Sequence, residues 1–313
     1  MSTFPGSAHA AGPGRLCGRL CGRLCGRLCG LMLAMLALLL AAGCSSGLRL
    51  GYNQAEILAN WTLSDYVDLE PHQRDLFGRR FREMHDWHRR EQLPEYARLA
   101  RETRTRVEDG LTREDVDWVI ARGRGRLEAL IEQGAGDAAD LMLSLTPEQV
   151  KGLERAFARA NRKMAQSWGI GRPVAEQQRL RTERLVGQVE RLTGKLSRDQ
   201  LERVTELSDA LPLTNDQRFA ERQRRQRELI AALQSGRSRV EMATWLRQWA
   251  PSWERGRDLQ RAQLYADIDR LLTPVQRRNA MDRLQAYADD FAALSAAAGP
   301  QRQAQPQQQR AAN

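Results

Sequence analysis

His85, His88 and Glu91 recur at three-residue steps within a segment of helical periodicity. Side chains three apart are neighbours on a helix, and two imidazoles with a carboxylate suit a zinc ion. A tetrahedral shell needs a fourth ligand, and after residue 43 the only other histidine is His72. Trp87, Leu93, Pro94 and Tyr96 surround the trio and fit a packing cluster at a helix end. The expectation is therefore no resident metal and no cofactor, with these three as the residues to watch. Asp65, Asp68 and Glu70 form a second candidate, since paired acids do acid–base work when their environments differ. The nearby Arg74, Arg79 and Arg80 favour ion pairs instead. Trp245, Trp249 and Trp253 stand at i, i+4 and i+8. Exposed, they would offer sugar rings, lipid or a partner helix an aromatic surface; buried, they are core. Pro251 falls between the second and third. Arg218, Arg222 and Arg225 make a basic helical stripe suited to an anionic surface. The chain has no phosphate-cradling glycine loop and no zincin motif. It lacks any recognised nucleic-acid module. The expectation is a protein that is not an enzyme.

The elements that must position these groups are helices. Val116, Val119, Ile120, Leu127, Leu130 and Ile131 fall on one stripe, as do Val150, Leu153, Phe157, Met164 and Trp168. Val275, Met281, Leu284, Tyr287, Phe291 and Leu294 repeat the pattern. Alternating β-branched runs and Asn-Gly or Asp-Gly hairpin turns are missing. A pentad recurs at Leu145–Gln149, Leu196–Gln200, Leu213–Gln217 and Leu272–Gln276, with degenerate copies at Leu69–Gln73 and Leu111–Asp115. In it Thr or Ser caps a helix and the N3 Gln reaches back to the cap amide, a capping box. Pro147 and Pro274 sit at N1, where no donor is needed. The spacing predicts helices over 54–67, 71–92, 94–109, 112–134, 138–143, 146–169, 173–194, 197–210, 214–235, 238–250, 252–270 and 273–296. Gly134–Gly136 and Pro94 are expected to be breaks, and Gly169–Pro173 a hinge. The fold class is an all-α multi-helix bundle.

Residues 1–43 read as a leader. Arg15, Arg19, Arg23 and Arg27 precede the apolar run Leu31–Ala42, with no acid among them. That run is shorter than the roughly 20 residues a spanning helix needs. Leu40-Ala41-Ala42-Gly43-Cys44 resembles the bacterial lipobox, which implies cleavage before Cys44 and its lipidation, palmitate included. Ser45, rather than Asp, then favours the outer membrane, with the body facing the periplasm. Cys17, Cys21, Cys25 and Cys29 lie in a Gly-Arg-Leu-Cys repeat within the leader, so Cys44 alone of the five cysteines remains. Residues 44–50 would be a tether, 51–298 the helical domain and 299–313 a disordered Gln-rich tail. The formal charge of the whole chain is +10; its lysines are only Lys151, Lys163 and Lys195. Acids alternate with the arginines, the pattern of a solvated helical surface.

Residues 52–96 carry Tyr52-Asn53, Trp61, Asp65-Tyr66-Val67-Asp68-Leu69, Gln73, Trp87-His88, Glu91, Leu93-Pro94 and Tyr96. This pattern resembles an uncharacterised family of all-helical bacterial lipoproteins, a domain of unknown function. The resemblance implies fold and location and supplies no catalytic residue. The pentads also resemble the Leu-Thr-x-x-Gln motif of small periplasmic chaperones over five-residue windows. The expected function is a membrane-anchored envelope lipoprotein with a non-enzymatic structural or binding role. Its expected partners are the membrane, through Cys44, and an envelope protein or peptidoglycan, not nucleic acid. The alternatives are a chaperone-like holder of unfolded clients and a metal-dependent hydrolase.

Overall fold

The computed structural model describes residues 45–250 and 258–297. Cys44, Trp253, the leader and the 299–313 tail lie outside the described residues. The helices are α1 (Ser45–Asn53), α2 (Ala55–Ser64), α3 (Pro71–Trp87), α4 (Leu93–Glu108), α5 (Arg113–Leu143), α6 (Pro147–Trp168), α7 (Val174–Thr193), α8 (Arg198–Asp209), α9 (Asn215–Gln234), α10 (Arg239–Trp249), α11 (Asp258–Asp269) and α12 (Pro274–Ala296). A π-helical turn, His88–Gln92, joins α3 to α4. No strand occurs among the described residues, and the chain is an all-α helix bundle. No described helix is long and apolar enough to cross a membrane. Helix α1 covers most of the segment expected to be a tether.

The pentads do what their chemistry requires. Thr112, Thr146, Ser197 and Thr273 each accept a hydrogen bond from the N3 amide, and the N3 side chain accepts from the cap amide. Ser238 and Glu241 build another such box at the start of α10. The Leu213–Gln217 pentad is the exception. Thr214 is not extended (φ −112°, ψ 16°) and caps nothing. Asn215 behind it is buried and donates to the Trp168 carbonyl and to Gln177 Oε1, both at 3.2 Å. Satisfying those buried acceptors takes precedence over capping.

The boxes come in interlocked pairs. Gln73 Oε1 accepts from the Glu70 amide at 2.8 Å, while its Nε2 donates to the Ser144 carbonyl at 2.6 Å. Gln149 Nε2 answers by donating to Gln73 Oε1 at 2.6 Å and to the Asp68 carbonyl at 2.7 Å. Gln200 and Gln276 repeat the arrangement. Gln200 Nε2 donates to the Leu271 carbonyl and to Gln276 Oε1, both at 2.7 Å, and Gln276 Nε2 donates to the Lys195 carbonyl at 2.9 Å. In both pairs the glutamines lie 76 residues apart. Gln73, Gln200 and Gln276 are buried and Gln149 half-buried, and each side-chain amide has its partners, so the pair fixes two helix starts at once.

These pairs expose a duplication. The boxes at Gln73, Asp115 and Gln149 recur at Gln200, Glu241 and Gln276, ~127 residues on. The positive-φ turn glycine Gly110 recurs as Gly236. Helices α2 to α6 therefore form one half, and α7 to α12 the other. The halves exchange their last helices: α12 packs along α4, and α6 packs along α9. Between them α5 packs on α10 and α11. Ala135, Ala139, Met242, Ala243 and Leu246 build the core at the α5–α10 crossing. Leu185, Val189, Leu196, Val204, Leu264 and Ile268 form the core of the second half.

Two expected breaks are continuous helix. Helix α5 runs through Gly134-Ala135-Gly136, because Ala135 and Ala139 are buried on α10 and the flanking glycines leave room for neighbours. A Cβ on Gly136 would lie 3.1 Å from the Arg239 guanidinium. Pro94 does not end the α3–α4 rod either. The π turn before it absorbs the missing donor, with the Leu93 amide bonding the His88 carbonyl. Gly169–Pro173 is a turn between the halves. Gly169 there is left-handed (φ 69°), and the Ile170 amide closes on the Ala165 carbonyl at 2.9 Å.

Candidate functional site

The π turn brings the first group of side chains together. Tyr52 Oη and His88 Nδ1 share a hydrogen bond of 2.9 Å. The Tyr52 ring lies 4.5 Å from that of His85, and Phe81 stacks on His85 from the other side at 5.9 Å. Tyr96 meets His88 edge-on at 5.4 Å and passes the contact to Phe291 of α12 at 5.7 Å. Arg89 sits 5.3 Å from the centre of the Tyr52 ring and donates to Asn53 Oδ1 at 2.9 Å. Burial lowers the pKa of both histidines; the Arg89 charge adds to this at His85, and His85 adds to it at His88. Burial raises the phenols of Tyr52 and Tyr96. Neutral imidazoles are competent ligands, yet Glu91 is exposed and no three His, Cys, Asp or Glu converge as a metal set among the described residues. The widened turn pairs the histidines with rings rather than with the carboxylate. His85 and His88 pack against the rings of Tyr52, Phe81 and Tyr96.

The other sequence candidates separate in space. Arg74 pairs with Asp68 at 3.4 Å and Arg80 with Asp137 at 3.3 Å. Trp245 and Trp249 stack at 4.9 Å and lie half-buried against the α5–α10 core, so they pack rather than display an aromatic face. The arginine stripe also dissolves. Arg225 is buried over the Trp249 ring at 4.3 Å and donates to the Trp249 carbonyl at 2.8 Å. Arg222 donates to Asn161 Oδ1 at 2.9 Å. Only Arg218 faces a cavity.

That cavity, of about 680 Å3, lies between α7, the α8–α9 turn and α11. Arg181, Arg184, Arg218 and Arg261 line it, with Trp168 and Tyr265 as ring walls. Arg181 is planted on carbonyls at and just beyond the end of α8: Ser208 at 2.7 Å, Pro212 at 3.1 Å and Leu211 at 3.2 Å. Its Nε is buried without a partner. Arg184 donates to the Ser167 carbonyl at 2.8 Å and leans over Trp168, 5.6 Å from the ring centre. Burial, and then the charge of Arg181, lower the Arg184 pKa. Glu221, the carboxylate in the lining, is engaged by Arg224 at 2.6 Å. The Ser208 hydroxyl accepts from Thr182 at 2.8 Å, and no base stands ready to activate it among the lining residues. Sequence reading missed Arg181, Arg184, Trp168 and Tyr265. Arg181 and Arg184 stand three apart on a helix, but so do many arginines in this chain.

The two sites correspond under the duplication. Residues ~127 before Ser208, Pro212 and Asn215 are Phe81, His85 and His88. Where the first half widens into a π turn, the second breaks outright between α8 and α9. One socket is filled with rings, and the other is left open and cationic.

A model described as a family of unknown function, DUF6279, matches residues 65–255, and the chain belongs to that family. Among curated proteins and among solved structures nothing matches.

Proposed function

We propose that the protein is a lipoprotein of the bacterial outer membrane, anchored through Cys44, facing the periplasm and acting there by binding rather than by catalysis. The leader supports the address: four arginines, an apolar run and small residues before a cysteine. Helix α2 follows close behind and exposes Ile57, Leu58 and Trp61, side chains suited to a headgroup boundary. The observation that carries the binding role is the cationic cavity. It gathers guanidinium groups, amides and rings, and its lining has no nucleophile–base pair. Labelled palmitate should appear on the processed chain and vanish with Cys44→Ser, with the protein leaving the outer-membrane fraction. A wild-type protein that takes no label and stays soluble overturns the address.

A chaperone-like role is the second reading, favoured by one feature. A cleft of about 540 Å3 with wholly apolar walls opens beside α2, lined by Leu63, Tyr66, Phe77, Phe81, Met142 and Leu233. A holder of unfolded clients should suppress aggregation of a denatured protein at near-stoichiometric amounts. Lack of suppression at a tenfold excess removes this reading.

A further inference from the structure

Four guanidinium groups, those of Arg181, Arg184, Arg218 and Arg261, and one carboxylate, that of Glu221, line the cavity beside α7. Arg181 has Asp209 at 3.6 Å, with a side chain only 19% exposed. Arg184 has a carbonyl and a ring as its partners. Burial first, and then the like charge of Arg181, lower the basicity of Arg184.

We propose that this cavity binds a phosphorylated ligand, with Arg184 holding the phosphate and Arg181, fixed by its carbonyl contacts, adding its charge. The inference rests on the binding role above and names the ligand class of that same site. Guanidinium groups match phosphate oxygens in two-point contacts. A phosphate presents more oxygens and more charge than a carboxylate, which suits a site with Arg218 and Arg261 on the same wall. The cavity is far larger than a phosphate ion, so the rest of the ligand is a polar body of sugar or glycerol size. The Trp168 and Tyr265 rings and the Asn215, Gln188 and Gln217 amides supply walls for it. The helix break fits this purpose. It ends α8 early, supplies the carbonyls that fix Arg181 and opens the space that His85 and His88 fill with rings in the other half.

The test is isothermal calorimetry and thermal melting on the full chain in detergent. The probes are inorganic phosphate, glucose 1-phosphate, glycerol 3-phosphate and citrate. Saturating phosphate ester should raise Tm by about 3 °C, and affinity should fall with added salt. Arg184→Gln should weaken binding at least tenfold with an unchanged circular dichroism spectrum, and Arg184→Lys should lose less. A sugar phosphate binding tighter than glycerol 3-phosphate assigns a glycan source; the reverse order assigns a lipid headgroup. Either order supports the proposal. Citrate binding equal to the phosphate esters overturns the ligand class. Unaltered affinity in Arg184→Gln, or no binding by any probe, overturns the site. Palmitate labelling of Cys44 is scored separately, so failure here leaves the membrane address standing.

Discussion

Asp269 is a buried acid held from two sides. It accepts from the Leu111 amide at 2.8 Å and from Arg277 Nη2 at 2.9 Å, while Arg277 Nη1 reaches the Val107 carbonyl at 2.7 Å. This knot ties the α4–α5 turn of one half to α11 and α12 of the other. Removing one partner leaves a buried charge alone, so Arg277→Met should cost about 3–5 kcal/mol in urea unfolding. Asp269→Asn, which keeps the shape and one acceptor, should cost less. His85 and His88 make a different prediction. Their pKa values are lowered in the folded state from an ordinary 6.5, so the unfolded chain binds more protons below that pH. Stability should be full above about pH 6.5 and decline as the pH falls, levelling once the folded-state values are passed. Urea midpoints at pH 7.5 and 5.5 measure the decline, and a His85→Gln, His88→Gln double variant should flatten it. The amino-acid pattern marked these histidines but not their partners. Tyr52 is 36 residues from His88 in sequence, and no local spacing links them.

Helix starts were legible and helix continuity was not. A capping box is a local device of four residues, so Thr146 and Gln149 declare it in the primary chain. The same glutamines also bond across to a second helix, and that use is invisible until the two ends meet. Gly134 and Pro94 carry a real intrinsic cost within a helix. Burial of Ala135 in one case and a π turn in the other offset it. Gly123 and Gly125 of α5 differ from Gly136: a Cβ on either would meet open space. Gly123→Ala should therefore stabilise the protein by about 0.5–1 kcal/mol, read from the denaturant midpoint. The paired boxes predict non-additive losses. Gln200→Ala and Gln276→Ala should each destabilise by about 1–3 kcal/mol, and the double variant by clearly less than their sum. An additive double variant would show that the two side chains do not share their bonds in solution.

The two halves depend on each other throughout, since α12 lies along α4 and α6 along α9. A fragment covering residues 171–313 should not form a folded monomer. It should be unfolded by circular dichroism, or pair with itself by light scattering, α12 of one copy standing in on α9 of the other. A stable folded monomer of that length would contradict the exchange. The repeated pentads mark helix starts without disclosing the duplication, because the Leu213 copy breaks the spacing and the Ser238 box departs from the pentad. A symmetric dimer must alter both of its sockets with every substitution. A single chain that carries both versions escapes that constraint. Here one position has been sealed with tyrosine, phenylalanine and histidine, which brace the scaffold, while its twin stays hollow and charged. Bracing and recognition are thereby divided between two descendants of one design.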